Sequence, residues 1–218
     1  MFYKQQIKGT PIILGGLIMQ NLENLKQYLD KDEIIKWGGP SQPYSILDES
    51  NKKSTVKSWT LATLLAVLFN GGYYMLCLVQ NMEFKALFLI FSVGIPLFVF
   101  MNPIFDKNNL KKQLYAITNK RVIVYTYGND PQILLLDKVD AVRVEKASSG
   151  SFCHMRLGSA TFKTPTEKLR SLAIKGVYDD VNNKKVHTGL IFYNLGLTDS
   201  EAVCSLLNPQ TVITGRVA

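Results

Sequence analysis

Two long apolar runs separated by a short polar break constrain this chain more than any other feature. The first runs from Trp59 to Val79 without a charged residue, and the second from Ala86 to Phe105 likewise. At a rise of about 1.5 Å per residue each makes a helix of roughly 30 Å, the thickness of a bilayer's hydrocarbon core. The break, Gln80-Asn81-Met82-Glu83, is too short to be a domain, so the two helices are expected to be antiparallel neighbours. Lys52, Lys53 and Lys57 precede the first run, Lys107, Lys111 and Lys112 follow the second, and only Lys85 lies near the break. By the positive-inside rule both flanking portions, and both termini, then face the cytoplasm. The competing reading is a pair of buried helices in a soluble protein, but core helices are usually shorter and carry charge every few residues.

Within the runs, Asn70-Gly71-Gly72 and the stretch holding Gly94 and Pro96 stand out. Small residues let helix backbones approach, an amide in lipid needs a partner, and a proline frees a carbonyl. Asn70, Gly71, Gly72, Gly94 and Pro96 therefore either pack the hairpin on itself or meet another membrane protein.

The organisation that follows is an N-terminal segment (1–57), a hairpin (58–105) and a soluble portion (106–218), of which only the last is long enough for an independent core. The net charge of +8 is uneven: residues 1–57 hold eight Lys and six acids, residues 106–218 sixteen Lys or Arg and ten acids. A basic domain held at a membrane meets anionic lipid headgroups more economically than nucleic acid, so no nucleic-acid partner is expected. Three scattered cysteines, Cys77, Cys153 and Cys204, suit a reducing compartment. The apolar stretch 12–19 lacks a cleavage site and is expected to be retained.

Apolar residues at 18, 22, 25, 28 and 29 give a short amphipathic helix over 17–29, which packs on protein or lies at the membrane interface. Ile34, Ile35 and Trp37 suggest an extended stretch ended by Gly38-Gly39-Pro40. After the hairpin, β-branched runs at 113–118 and 121–127 flank Asn119-Lys120, read as a tight turn in which Asn119 takes positive φ. Further strands are expected at 133–136, 141–145, 151–157, 160–164 and 186–193, with turns at 128–131, 148–150 and 157–159. Residues 165–185 read as a long polar loop carrying Asp179-Asp180. Thr198-Asp199-Ser200-Glu201 fits a capping box opening a final helix that stops at Asn208-Pro209.

That order of elements, with the run Leu114-Tyr115-Ala116-Ile117-Thr118-Asn119-Lys120-Arg121-Val122-Ile123-Val124 and the upstream segment Asp32 to Pro40, resembles the bacterial pleckstrin-homology (PH) domain family of prokaryotic membrane proteins. The resemblance covers most of residues 31–207; residues 1–20 and 165–185 have no counterpart in it. It implies an α+β membrane protein: a two-helix transmembrane hairpin, then a PH-like seven-stranded β-barrel with a C-terminal capping helix. It also implies a binding or scaffolding module in a bacterial inner (cytoplasmic) membrane, an accessory subunit of an integral-membrane complex rather than an enzyme. Basic residues near the first hairpin hold lipid phosphates in eukaryotic relatives, and Lys120 and Arg121 fall at that place here.

No cofactor or metal is expected, since no Cys-x-x-Cys or His-x-x-x-His pair, P-loop or dinucleotide fingerprint occurs. Cys153 beside His154 hints at a hydrolase or lipid-processing enzyme, but neighbours on a strand point to opposite faces. Three functions stand: an adaptor docking on a membrane complex, an anionic-lipid-binding module, and that enzyme.

Overall fold

A computed structural model describes residues 22–43, 45–47, 51–83, 85–147, 151–207 and 211–216; residues 1–21, the turn at 148–150 and the stop at 208–209 lie outside them. The fold is α+β, with two sheets and a helical hairpin. Strands β1 (Ile35–Pro40), β2 (Gln113–Thr118), β3 (Arg121–Thr126) and β4 (Gln132–Leu135) form one antiparallel meander. Strands β5 (Ala141–Lys146), β6 (Phe152–Leu157), β7 (Val177–Val181), β8 (Lys184–Gly196) and β9 (Thr211–Arg216) form a second sheet in the order β7-β8-β6-β5-β9. Helices α1 (Lys52–Gln80) and α2 (Ala86–Leu110) make the hairpin, α3 (Leu169–Lys175) lies between β6 and β7, and α4 (Leu197–Leu207) follows β8. Because β1 pairs with β2, Gly39 opposite Tyr115, the hairpin is an insertion between the first two strands of one sheet.

The sheets pack face to face. Tyr115, Ile117, Val122, Val124 and Leu134 of the first meet Val142, Met155, Leu157, Leu190 and Phe192 of the second, and Val203 of α4 closes the same core. Rings cross the interface: Tyr115 lies 4.5 Å from Phe192 and Trp37 6.1 Å from it. Both outer faces are covered as well, which is why β2 is buried at every position. Residues 22–26 are helical, and Leu22, Leu25 and Leu29 pack on Leu114, Ala116, Ile123 and Tyr125. The described part of the amphipathic segment, 22–29, thus rests on protein. On the opposite side Leu110, Leu169 and Ala173 cover Ile191 and Tyr193 of β8.

Several expectations are corrected. Nine strands in two sheets, not seven in a closed barrel, occur among the described residues. Residues 160–164 are not a strand: Gly158 at φ +86 turns the chain into a 3-10 turn at Ser159–Thr161, where the Thr161 hydroxyl donates to Gly158 O at 2.7 Å. Residues 165–185 are not a loop. They hold α3 and β7, so Asp179 and Asp180 sit exposed on a strand. β8 is longer than expected at both ends and is not last, since β9 runs parallel to β5. The final helix starts at Leu197, which puts Thr198 inside its first turn rather than ahead of it. Asn119 does not adopt positive φ; its side-chain oxygen accepts from Ile34 N–H at 2.9 Å and its amide donates to Asp32 O at 3.2 Å, stapling the upstream segment to the turn. The tight turn built on two positive-φ asparagines is instead Asn182-Asn183, at φ 52 and 60 between β7 and β8.

Candidate membrane hairpin and its anchorage

Along α1 a stripe of half-buried or buried residues runs Thr55, Trp59, Ala62, Ala66, Asn70, Tyr73 and Cys77, recurring every three or four positions. On α2 the matching stripe runs Phe88, Ser92, Pro96, Phe100, Pro103 and Leu110. This is the seam of an antiparallel pair. Ser92 Oγ donates to Asn70 Oδ1 at 2.7 Å, and Asn70 Nδ2 donates to Ala66 O at 2.7 Å. The amide's needs are thus met inside the hairpin. Aromatic pairs brace the two ends of the seam, with Tyr73 stacked on Phe88 at 4.0 Å and Trp59 5.5 Å from Phe100.

The remaining perimeter is apolar and uncovered. Val67, Phe98, Ile95 and Val79 expose between 64 and 77 % of their surface. Gly71, Gly72 and Gly94 lie off the seam, and a Cβ built on any of them meets nothing within 4 Å. Of the residues singled out in the sequence, Asn70 and Pro96 therefore serve the hairpin's own packing, and the three glycines face outward. Beside the Asn70–Ser92 bond an apolar groove of about 260 Å³ opens between Leu65, Phe69, Ile95 and Pro96. Among the described residues one helix, α1, is long and apolar enough to cross a membrane, and only 11 % of its most apolar stretch is buried.

The hairpin is fastened to the sheets at both ends. α2 runs past Phe105 to Leu110, which is fully buried against β8, and Asp106 pairs with Arg170 of α3 at 3.0 Å. Burial raises the Asp106 carboxyl pKa against the pull of Arg170. At the start of α1, Asn51 Nδ2 donates to the Tyr193 hydroxyl at 3.0 Å. The same tyrosine stacks on His154 at 4.2 Å, and its backbone N–H donates to the Tyr115 hydroxyl at 2.9 Å. Sequence reasoning missed this clamp, because nothing in the spacing of Asn51, His154 and Tyr193 brings them together.

Lys120 and Arg121 do come together, but each already has carboxylate partners. Lys120 Nζ lies 2.7 Å from Asp32 and 3.3 Å from Asp30. Arg121 forks onto Glu33 at 2.8 and 2.6 Å and donates to Tyr28 O at 2.8 Å. Burial pushes the Glu33 carboxyl up, but hydrogen bonds from Arg121 and Thr118 outweigh it and hold it at about 2. A lipid phosphate would have to displace these carboxylates.

Cys153 and His154 diverge. The thiol is buried in the inter-sheet core, near Leu195 O at 3.6 Å, and burial raises its pKa. His154 Nδ1 accepts from Asn194 N–H at 3.1 Å on the other face, where burial and then Arg156 lower its pKa to about 4. A neutral, hydrogen-bonded ring aimed away from the thiol cannot serve it as base. Arg156 itself is buried, pairing with Glu145 at 2.9 Å and donating to Thr161 O at 3.0 Å. No group of three or more His, Cys, Asp or Glu placed to hold a metal occurs among the described residues. Comparison with family models, curated proteins and solved structures finds no match.

Proposed function

We propose that this chain is a membrane-anchored binding or scaffold protein, in which a PH-like two-sheet domain sits on the cytoplasmic face of a bacterial inner membrane and the hairpin carries it onto a larger integral-membrane complex. The observation that carries the reading is the hairpin's uncovered apolar perimeter above a rigid anchorage. Apolar patches of more than a few hundred Å² on a protein surface mark membrane or partner contacts. The lysines at 52, 53, 57, 107, 111 and 112 flank the uncharged stretches on one side, which supports a two-pass topology with that side cytoplasmic. A four-stranded antiparallel meander packed on a second sheet in which β5, β6 and β8 pair antiparallel, with a helix after β8, supports the PH-like reading of the domain.

A partner is called for because two helices leave most of their circumference to lipid, and the outward glycines permit a further helix to approach. A photo-crosslinking residue at Gly72 or Ile95 in living cells should give a discrete protein adduct, while one at the buried seam residue Ala62 should not. Adducts to lipid alone from both outward positions would remove the accessory-subunit reading.

A further inference from the structure

We propose that a polar cavity at the membrane-side end of the four-stranded sheet binds a sugar ring, carried either as the hexosyl headgroup of a glycolipid or as a free saccharide. Its placement at headgroup level rests on the membrane reading above; its chemistry does not.

Strand β2 starts just after α2, and its first residue, Gln113, pairs with Thr126, the last of β3. The β3–β4 turn therefore lies at the hairpin end of the sheet. α2 leaves its uncharged stretch at Phe105 and ends at Leu110, roughly 7 Å further along its axis, a distance comparable to the depth of the headgroup layer. Against this turn, where Gly128 at φ +85 reverses the chain, a cavity of about 540 Å³ opens towards residues 24–28.

The lining decides the ligand class. Asn24, Gln27 and Asn129 each offer an amide donor and an acceptor, and Asp130 adds a carboxylate. No Lys, Arg or His is among the described residues lining it, so none of them offers a phosphate a counter-charge. Adjacent hydroxyls that both donate and accept match such a set. Tyr28 and Tyr127, 37 and 50 % exposed, supply flat apolar faces for the C–H side of a pyranose. Tyr125, nearly buried and 5.8 Å from Tyr28, holds that ring in place. A quaternary ammonium would instead need rings closing round it, and here three amides share the lining with the three tyrosines.

The test uses the full chain in a polyoxyethylene detergent, which carries no sugar, with equal amounts of monoglucosyl-diacylglycerol and phosphatidylglycerol added and retained lipid read by native mass spectrometry. Wild type should retain the glucosyl lipid about fivefold over phosphatidylglycerol, the worth of roughly one net hydrogen bond. Asn129→Ala and Tyr127→Ala, both at exposed positions, should bring the ratio to one at unchanged melting temperature. Saturation-transfer signal from methyl β-glucoside would assign a free saccharide, and its absence beside lipid retention a glycolipid. No preference in wild type, a preference untouched by both substitutions, or displacement by choline chloride overturns the proposal.

Discussion

Replacing Glu33 by Gln should loosen the tie between the chain before the hairpin and the β2–β3 turn after it. The Glu33 side chain is fully buried and its partner Arg121 is 15 % exposed. A carboxyl held at about 2 instead of 4.5 is worth about 3 kcal/mol at roughly 1.4 kcal/mol per decade. Solvent at the Arg121 edge lowers this to about 2 kcal/mol. Because the folded-state value is depressed, the contribution is complete above pH 4.5 and disappears as pH falls towards 2. Gln keeps the shape and can still accept from Thr118, so the change removes charge rather than packing. At pH 7 the variant should melt about 4–8 °C below wild type. Thermal unfolding of the full chain in detergent reads this through Trp37, which stacks on Phe192, in a Trp59→Phe background. An unchanged melting temperature at pH 7, or a gap that persists undiminished to pH 2, would refute the account of this pair.

His154 should produce a separate acid transition. Its folded pKa of about 4 lies below the ordinary 6.5, so stability should fall as pH drops from 6.5 to 4, and His154→Asn should flatten that part of the melting-temperature profile. Ser92→Ala should weaken the hairpin by about 0.6–1.7 kcal/mol, seen as a lower melting temperature in detergent, because Asn70 loses its cross-helix donor. Tyr193→Phe removes the hydroxyl that accepts from Asn51 and should speed hydrogen exchange at the start of α1 while leaving the sheets protected, at a cost of about 1 kcal/mol. Gly158→Ala should cost more than 1 kcal/mol by denaturant melt, since its Cβ would lie 2.7 Å from Thr188 O at a φ of +86.

The two long helices, β2, β3, β5 and β6 were legible because their signals are local: long uncharged runs, or β-branched runs with turn residues at both ends. The same locality explains the failures. Asn119-Lys120 is the expected two-residue connection of β2 and β3, yet Asn119 lacks the positive φ and spends its side chain on Ile34 and Asp32, far back in the sequence. The true positive-φ turn, Asn182-Asn183, was hidden because charged residues on an exposed strand pair look like loop. Lys120 and Arg121 were noticed for their charge, but the acids that answer them, Asp30, Asp32 and Glu33, lie across the inserted hairpin. Asn70 could be read as needing a partner, though not that Ser92 supplies it. The seam can be traced afterwards in the three-to-four spacing of Thr55, Trp59, Ala62, Ala66, Asn70, Tyr73 and Cys77. Beforehand an almost wholly apolar helix offers no polar face to mark which side is inward.

The most direct measurement is single-cysteine labelling in intact bacterial cells, with Cys77, Cys153 and Cys204 replaced and one cysteine placed at Met82, Lys53 or Lys184. A membrane-impermeant maleimide should label position 82 in intact cells and positions 53 and 184 only after lysis, because the proposed topology puts the 80–83 break across the bilayer from both flanking portions. Labelling of 53 or 184 from outside, equal protection of all three, or release of the chain by alkaline carbonate would contradict a twice-crossing hairpin carrying a cytoplasmic domain.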